Sequence, residues 1–395
     1  MSFPVSAASP RKVLLFANTE WYLYNFRRSL ALALRDAGYE VLLVSPPGPY
    51  GEKLRALGFR WIPAPMERRS LNPLRELALV NWLRRLIRAE RVQVVHGFTI
   101  KCAVYGSLAA RLAGVPARVN AVAGMGYVFT SDDLKARLLR PVVRTLMRVA
   151  LDGRGARLIL QNPDDVALFE RARLVDSERV RLIPGSGVDC RRFGPEAGRG
   201  QGGRFRVLLA ARLLWDKGLA EYVAAARQLR AEGRDIEFLL AGDPDPGNPA
   251  AVPEATVRGW VEEGALSWLG HVDDMPGLFR SVDAVVLPSY REGLPKGLIE
   301  AGACGLPLVT TDVPGCREVV SDGVDGLLVP VKDAAALAGA IATLQDDPGL
   351  RARLGAAARA KALAEFDERI VIERTVGVYR EVLLAAPVGA QPSAR

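Results

Sequence analysis

The chain has 395 residues, 49% hydrophobic and 25% charged, a composition that excludes an intrinsically disordered protein and leaves room for two domains. The net charge of +9 is unevenly spread: residues 1–200 hold 32 Lys and Arg against 17 Asp and Glu, whereas the remainder holds 21 against 27. A basic half favours an anionic partner, such as a phosphate group, a nucleic acid or a membrane surface.

Cysteine, histidine and hydropathy patterns exclude further classes of protein. The four cysteines lie far apart without a C-x-x-C pair, and there are only two histidines, so we expect neither a disulfide framework nor a histidine-built metal site. No apolar run approaches the roughly 20 residues of a membrane-spanning helix, and the first residues lack the apolar region of a signal peptide. These features predict a cytoplasmic protein, soluble or peripherally attached to a membrane.

Short strand-like runs alternate with longer amphipathic stretches through the first half. The candidate strands are KVLLFAN, EVLLVSP, RWIPA, VQVVH, ARVNAVAG and ARLILQN. Between them lie candidate helices such as FRRSLALALRDAG and NPLRELALVNWLRRLIRAE. This alternation predicts a parallel sheet with helices on both faces.

Residues 194–203, GPEAGRGQGG, form the most linker-like stretch of the chain. The pattern then restarts with the candidate strands FRVLLAAR, IEFLLAGD, ALSWLG, VDAVVLPS, LPLVTTD and GLLVP. We therefore predict an α/β protein with two tandem, doubly wound Rossmann-like domains, 1–194 and 203–365, and a C-terminal helix near 366–386 that packs back on the first. Two such domains would face a cleft, with ligands beyond the carboxyl ends of the strands.

One strand-to-helix connection, SYREGLPKGLIEAGACG, holds two glutamates with seven residues between them. Pro295 suits a first helical position, so we expect Glu292 in the loop and Glu300 about a turn and a half into the helix. The N–H groups of a helix N-terminus can hold a pyrophosphate, while carboxylates accept hydrogen bonds from sugar hydroxyls. The alternative is that both acids merely favour this end of the helix and lie in water.

A second connection, LLAARLLWDKGLAEYV, ends a predicted strand near Ala211 and begins a helix near Lys217. Arg212 and Lys217 would then flank the cleft. A guanidinium fork beside an ammonium suits a diphosphate. Two simply exposed basic side chains would produce the same pattern.

Several motifs follow one another in a single order: ARLLWDKG, LLAGD, WLGHVDDMP, LPSYREGLPKGLIEAGACGLPLVTTDVPGCREVV and DGLLVP. The first half adds HGFTIK, QNPDD and LIPGSGVDCRRF. With these motifs the chain resembles the retaining family 4 glycosyltransferases, which have the GT-B fold. The resemblance covers nearly the whole chain and is densest over residues 207–330, and ordered motifs are more specific than any single one.

The resemblance implies roles for residues of the second half. Glu292 would contact the donor sugar and Glu300 the nucleotide ribose, while Arg212 and Lys217 would hold the diphosphate. Two backbone segments would contact the rest of the nucleotide: Gly270, His271 and Val272 at the base, and Gly293, Leu294 and Leu298 at the phosphates. Because fixed cations and helix N–H groups can stabilise a departing nucleoside diphosphate, we expect no metal ion and no other cofactor.

The first half departs from the family pattern at one donor-contacting position. Many members carry a histidine after a strand of the first domain, where this chain has NAVAGMGYVF. Gly124 and Gly126 instead suggest a close approach of the backbone to a ligand. His96 follows an earlier strand and is interpreted as structural.

The loop after the first strand is the second departure, since it reads NTEWYLYNFRRSL instead of being rich in glycine. Asn18, Glu20 and Trp21 would face the cleft, and we assign them to the acceptor side. The alternative is simple helix capping, with Asn25 as the N-cap residue.

The stretch DDLKARLLRPVVRTLMRVALDGRGAR predicts a basic amphipathic helix. Its cationic residues are Lys135, Arg137, Arg140, Arg144 and Arg148, and LRRLIRAER adds Arg84, Arg85 and Arg88. Such a helix can lie on an anionic bilayer, although a solvated basic face is equally compatible with the pattern. The resemblance implies transfer from a UDP-linked hexose or N-acetylhexosamine to a polyprenyl-diphosphate-linked saccharide in surface polysaccharide synthesis.

Three other functions remain open from the sequence. A metal-dependent glycosyltransferase of the other main fold would use an Asp-x-Asp motif, which Asp243 and Asp245 supply, but the tandem β–α pattern opposes that fold. A non-hydrolysing nucleotide-sugar epimerase shares the double-Rossmann architecture. A protein that binds nucleic acid or a membrane through its basic half is the third, although no nucleic-acid-binding module is recognisable.

Overall fold

A computed structural model describes residues 11–68, 70, 72–122, 134–195 and 203–385. The chain forms two compact units. The first unit is Met1–Ser186 together with Val371–Arg395, and the second is Gly187–Ile370. Each unit is built on one parallel β-sheet.

Seven described strands form the sheet of the first unit, in the order β3-β2-β1-β4-β5-β6-β7. They are β1 Lys12–Phe16, β2 Glu40–Ser45, β3 Arg60–Pro63, β4 Val94–Phe98, β5 Ala117–Ala121, β6 Ala156–Leu160 and β7 Val180–Leu182. All pairs are parallel, and the central strands are buried on both faces, as their continuous apolar runs predict. The three-residue edge strand β7 was not predicted, because so short a run shows no periodicity.

The helices of the first unit lie on both faces of its sheet. They are α1 Glu20–Phe26, α2 Arg28–Asp36, α3 Tyr50–Ala56, α4 Pro73–Ala89, α5 Ile100–Ala113, α6 Leu134–Leu151 and α7 Pro163–Arg171. Leu14 and Phe16 of β1 pack with α4 and α5, whereas Val13 and Leu15 pack with α1 and α2. The alternation of side chains along a strand divides the core into these two layers.

The second sheet has six described strands in the order β10-β9-β8-β11-β12-β13. They are β8 Phe205–Ala210, β9 Ile236–Ala241, β10 Ser267–Gly270, β11 Ala284–Leu287, β12 Leu308–Thr311 and β13 Leu327–Val329. This order repeats that of the first six strands of the first sheet, which identifies both units as Rossmann-like.

The helices of the second unit also cover both faces of its sheet. They are α8 Leu219–Ala231, α9 Glu254–Glu262, α10 Met275–Arg280, α11 Lys296–Ala303, α12 Cys316–Val319, α13 Ala334–Asp346 and α14 Pro348–Lys361. Pro295 is the N-cap of α11 and not its first helical residue, so the helix begins one position later than the sequence predicts.

The last helix, α15 Glu368–Ala385, belongs to the first unit from Val371 onward. Val378 and Tyr379 are buried in the same core layer as α1 and α2. Glu381 accepts hydrogen bonds from arginines of the last two strands of the sheet, Arg157 of β6 at 3.1 Å and Arg181 of the edge strand β7 at 2.6 Å. Among the described residues, no helix has both the length and the apolarity needed to cross a bilayer.

Candidate donor and acceptor sites

The strand-to-helix connection that follows β8 places Arg212 and Lys217 beyond the carboxyl end of that strand. A short 3₁₀ turn, Trp215–Lys217, precedes α8 and ends at Gly218, whose φ is +75°. A Cβ at Gly218 would lie 2.1 Å from the carbonyl oxygen of Pro288, so only glycine permits this approach of the two connections. The half-exposed guanidinium of Arg212 is paired with Asp245, with Nη1 2.7 Å from Oδ2.

Glu292 forms the centre of a compact polar network with Lys217 and Ser289. The ammonium of Lys217 lies 2.5 Å from Glu292 Oε1, and the Ser289 hydroxyl lies 2.7 Å from the same oxygen. The side chains of Lys217 and Glu292 are only 17% and 13% exposed, and Ser289 is fully buried. Both neighbours therefore engage one carboxylate oxygen, which leaves Oε2 as the atom available to a ligand.

The backbone around Glu292 is held by the next connection along the sheet. Its N–H donates to the carbonyl of Pro314 at 3.1 Å. Gly315 has φ +84°, and a Cβ there would lie 2.5 Å from the carbonyl oxygen of Glu292. This close backbone contact fixes the loop and thereby the direction of the Glu292 side chain.

Glu300 lies in the second turn of α11, four residues after Lys296. The two side chains form an ion pair at 2.7 Å, with Glu300 14% exposed. Pro295, the N-cap residue of α11, provides no side-chain hydrogen bond to the first N–H groups of the helix. Leu298 is buried against the strand core, and Leu294 packs partly buried beside the same cluster.

The segment assigned to the base follows β10. His271 is about half exposed, with Nδ1 2.9 Å from Asp243 Oδ2 and Nε2 3.4 Å from Asp273 Oδ1. Gly270 has φ +64°, and its carbonyl accepts the N–H of Gly242 at 2.8 Å. Val272 packs partly buried against the second unit's core.

The two aspartates of the Asp-x-Asp pattern have separate partners, since Asp243 faces His271 and Asp245 faces Arg212. Within the described ranges, no group of three or more His, Cys, Asp or Glu side chains has a geometry that could hold a metal ion. Each aspartate therefore has a side-chain partner of its own, the His271 ring for Asp243 and the Arg212 guanidinium for Asp245.

Two site neighbours, Ser289 and Tyr290, were missed by the sequence analysis. The Tyr290 hydroxyl donates to Glu221 at 2.8 Å, and the ammonium of Lys332 lies 5.0 Å from the centre of its ring. Burial, reinforced by the hydrogen bond to Glu221, raises the pKa of Tyr290 to about 12. Both residues follow β11 directly, so their position at a strand end was the available signal.

In the first unit, the loop after β1 places Glu20 and Trp21 at the start of α1. Glu20 is only 6% exposed, and its carboxylate lies against Gly48, whereas Trp21 is 43% exposed. Thr19 is the N-cap of this helix, because its hydroxyl accepts the N–H of Tyr22 at 3.1 Å. Asn18 is half-buried just before this cap.

The alternative interpretation of this loop, in which Asn25 is a helix N-cap, is wrong. Asn25 lies inside α1, and its side-chain amide donates to the carbonyl of Trp21 at 3.0 Å. Thr19 caps α1, and the next helix, α2, begins after Arg27 without a side-chain cap. Gly124 and Gly126 lie outside the described residues.

His96 is fully buried in the core of the first unit. Its Nδ1 lies 2.6 Å from the hydroxyl of Tyr379 on α15, and its ring packs 4.0 Å from that of Phe98. Burial, and secondarily the nearby Arg27, lowers the pKa of His96 well below its ordinary value. The histidine therefore ties the C-terminal helix to the sheet.

The basic helix predicted from the sequence is α6, but two of its arginines bind the protein itself. Arg144 and Arg148 donate to the carbonyls of Ala172 and Arg173, at the end of α7. Between and beside them, α6 exposes three apolar side chains, namely Val142, Leu146 and Val149. The side chain of Lys135 lies outside the described residues.

Two Rossmann-like units, each built on its own parallel sheet, form the architecture of the GT-B fold. Two family models match: Glycosyl transferases group 1 over residues 204–347, and Glycosyl transferase 4-like over residues 12–162. The chain is 30% identical over 372 residues to the N,N'-diacetylbacillosaminyl-diphospho-undecaprenol alpha-1,3-N-acetylgalactosaminyltransferase of Campylobacter jejuni, which covers 91% of this chain and 96% of that protein. The chain therefore belongs to the family 4 glycosyltransferases, and it is an enzyme of the hexosyltransferase class.

Other comparisons agree with this assignment. The UDP-Gal:alpha-D-GlcNAc-diphosphoundecaprenol alpha-1,3-galactosyltransferase of Escherichia coli is 27% identical over 71% of this chain and 73% of its own length. Sucrose-phosphate synthase from Thermosynechococcus elongatus superposes with a TM-score of 0.78 at 21% identity, over 95% of this chain and all of that chain. Anabaena HepE in complex with UDP and glucose gives a TM-score of 0.75 at 21% identity, over 94% and 99% of the two chains. These structural likenesses confirm the GT-B fold.

Proposed function

We propose that the enzyme transfers a hexose or N-acetylhexosamine, with retention, from a UDP-sugar to a polyprenyl-diphosphate-linked saccharide in surface polysaccharide synthesis. The observation that carries this proposal is the network of Lys217, Glu292 and Ser289, which places an ammonium and a carboxylate side by side at a strand end. The names of the relatives from C. jejuni and E. coli support a diphosphate-lipid acceptor. The UDP and glucose named in the HepE complex support the donor.

The donor would bind by exchanging counter-ions. Arg212 and Lys217 are already paired with Asp245 and Glu292, so an arriving diphosphate replaces carboxylates as the partner of two fixed cations. As the bond to the sugar breaks, negative charge grows on the diphosphate, and these cations stabilise it. The free Oε2 of Glu292 is then able to accept a hydroxyl of the sugar, and Glu300 one of the ribose.

Catalysis in this scheme needs no metal ion, because Arg212, Lys217 and the N-terminus of α11 supply the positive charge that a divalent cation would otherwise provide. Activity is accordingly expected to persist in excess EDTA. Loss of activity in EDTA that Mg²⁺ or Mn²⁺ restores would contradict this part of the proposal.

The acceptor would approach the first unit from a membrane surface. On α6, Val142, Leu146 and Val149 are exposed among arginines, a composition suited to the interface of an anionic bilayer. The loop after β1, with Asn18, Glu20 and Trp21, would contact the acceptor saccharide. Flotation of the enzyme with vesicles that contain anionic lipid tests membrane binding separately from catalysis. Binding is expected to weaken when salt is added or when charge-neutral lipid replaces the anionic lipid.

The experiment that tests the transferase function is incubation of the purified chain with a panel of UDP-sugars and a short polyprenyl-diphosphate-linked saccharide. Release of UDP and a product one sugar longer, with the anomeric configuration of the donor, is the expected result. Formation of an epimerised nucleotide sugar without transfer would identify an epimerase and refute the proposal.

A further inference from the structure

A cavity of about 410 Å³ lies along α4 in the first unit. Its wall combines apolar side chains, Met66, Leu79 and Trp82, with the polar side chains of Glu76 and Arg85. The cavity lies between the segment that follows β3 and the first three turns of α4, beyond the carboxyl end of a strand, where open α/β sheets bind ligands. Its volume is in the range of small-molecule sites.

Glu76 is a buried carboxylate with one oxygen unused. The side chain is about nine-tenths buried, and Oε1 accepts the ammonium of Lys101 at 2.8 Å. Oε2 is buried and has no hydrogen-bond partner among the described residues. Burial, then the charge of Glu76 and a hydrogen-bond contact with that carboxylate, raise the pKa of Tyr105, but the contact does not reach normal hydrogen-bond geometry at Oε2. A buried acceptor without a donor in good geometry is destabilising, so a ligand that donates to Oε2 would be favoured.

Lys101 holds the elements that line this cavity together. Besides Glu76, its ammonium donates to the backbone carbonyls of Glu67 at 2.8 Å and Ser70 at 3.0 Å. One cation at the start of α5 thus joins α4 to the segment after β3. The carboxylate of Glu76 is therefore held in place before any ligand binds.

The rim offers hydrogen-bond donors to the same space. Arg85 is exposed and has no ion pair or hydrogen bond within the part of the chain that the structure describes, whereas Arg75 is paired with Glu67. The Asn81 carbonyl oxygen accepts from Arg84 at 2.9 Å, which leaves the Asn81 amide group to donate.

We propose that this cavity binds a pyranose unit of a saccharide through Glu76, Arg85 and the ring of Trp82. A sugar hydroxyl both donates, as Glu76 Oε2 requires, and accepts, as Arg85 and the Asn81 amide require. The C–H face of a pyranose ring packs against an indole and thioether wall. A phosphate lacks the donor that the buried carboxylate needs and is repelled by its charge, and an apolar chain satisfies none of these groups.

This inference deepens the proposed function, on which it rests, by giving the saccharide acceptor a second point of contact besides the loop after β1. It does not depend on the donor, because every named residue lies in the first unit and none belongs to the nucleotide network. Binding in the cavity is therefore measurable without UDP or turnover.

The test uses the full chain and ligand-observed saturation-transfer NMR. The probes are methyl α-glycosides of glucose, galactose, N-acetylglucosamine and N-acetylgalactosamine, with inorganic pyrophosphate as the competing class. At least one glycoside is expected to bind, with an affinity lowered about tenfold or more in Glu76→Gln, since a charge-assisted hydrogen bond is lost. Trp82→Ala is expected to weaken binding by a similar factor.

Arg85→Ala and Arg88→Ala are a matched pair one turn apart on α4. Arg88 donates to the carbonyl of Leu112 and does not line the cavity, so Arg88→Ala is expected to bind the glycoside normally and Arg85→Ala several-fold more weakly. Both positions are exposed, so either variant is expected to fold even where Glu76→Gln does not. Absence of glycoside binding, equal affinity of Arg85→Ala and Arg88→Ala, or displacement of the glycoside by pyrophosphate would each overturn the proposal. Glycoside binding by a chain that fails to transfer sugar would refute only the transferase chemistry.

Discussion

Replacement of Glu292 by glutamine is the sharpest test of the nucleotide network, because it removes one charge and preserves the shape of the side chain. Glutamine retains an oxygen for the Ser289 hydroxyl but no longer neutralises Lys217. Two unit charges about 4 Å apart attract by about 4 kcal/mol at an effective dielectric constant of about 20, and desolvation cancels part of that attraction. The Lys217–Glu292 contact is closer than 4 Å and mostly buried. We therefore expect the loss of the carboxylate charge to change the binding free energy of a ligand that competes for the ammonium by about 1–2 kcal/mol.

UDP should therefore bind Glu292→Gln about 5- to 30-fold more tightly than the unmodified enzyme, since its diphosphate no longer displaces a carboxylate. Turnover should fall by about 100-fold or more, because the sugar loses its carboxylate contact in the transition state. Titration calorimetry with UDP and the initial rate of UDP release measure the two effects separately. Glu254→Gln, an exposed acid on α9 paired with Arg258, provides the control with equal loss of charge.

Tighter UDP binding with reduced turnover is the signature of a carboxylate that holds the diphosphate cation and also contacts the sugar. Weaker UDP binding would show that Glu292 contacts the nucleotide favourably, and unchanged turnover would remove it from the reaction. Either result would refute the reasoning from the Lys217–Glu292 pair.

Three further predictions concern other residues. Glu300→Ala should weaken UDP binding more than it lowers kcat, because it removes a ribose contact; calorimetry and steady-state kinetics decide, and a pure kcat effect would contradict the assignment. Arg212→Ala should lower kcat/KM by the equivalent of about 2–4 kcal/mol of transition-state stabilisation, whereas Asp245→Asn should not, since Asp245, which accepts from Arg212 and Asn248, would yield the guanidinium to the diphosphate; similar losses in both variants would show that the pair acts as a unit. His96 has a pKa below its unfolded value of 6.5, so only the unfolded state takes up the proton as the pH falls, and the free energy of unfolding should drop by about 1 kcal/mol between pH 6.5 and 5.5. Urea unfolding of His96→Phe should lack this part of the pH slope, and identical slopes in both proteins would mean that the histidine titrates normally.

The order of motifs along the chain was sufficient to predict the GT-B fold and the family. Buried parallel strands appear as short apolar runs and the helices between them as longer amphipathic stretches, so both periodicities are local properties of the sequence. The positions of Glu292 and Lys217 directly after such strands were also readable, because the carboxyl ends of parallel strands meet at one edge of a sheet.

Local pattern was insufficient to identify the residue that caps a helix. Asn25 and Thr19 both have side chains that can cap a helix, and the sequence alone did not indicate which would do so. Thr19 caps α1, whereas Asn25 lies inside that helix and α2 begins without a side-chain cap. Likewise, the strand β7 is too short to show a period, and it exists because β6 provides a free edge for pairing.

The partners of the charged side chains were decided only by the tertiary structure. Lys217 meets Glu292 across 75 positions of sequence, Arg212 meets Asp245 across 33, and His96 meets Tyr379 across 283. Strand order brings the first two pairs together, and the packing of α15 on the first sheet brings the third. Both depend on the whole unit and not on any one segment. The sequence by itself determined the class of enzyme and the residues at the strand ends. Folding decided which oxygen of Glu292 stays free, and it placed the unpartnered carboxylate oxygen of Glu76 in a cavity. Both outcomes depend on contacts between segments that lie far apart in the chain.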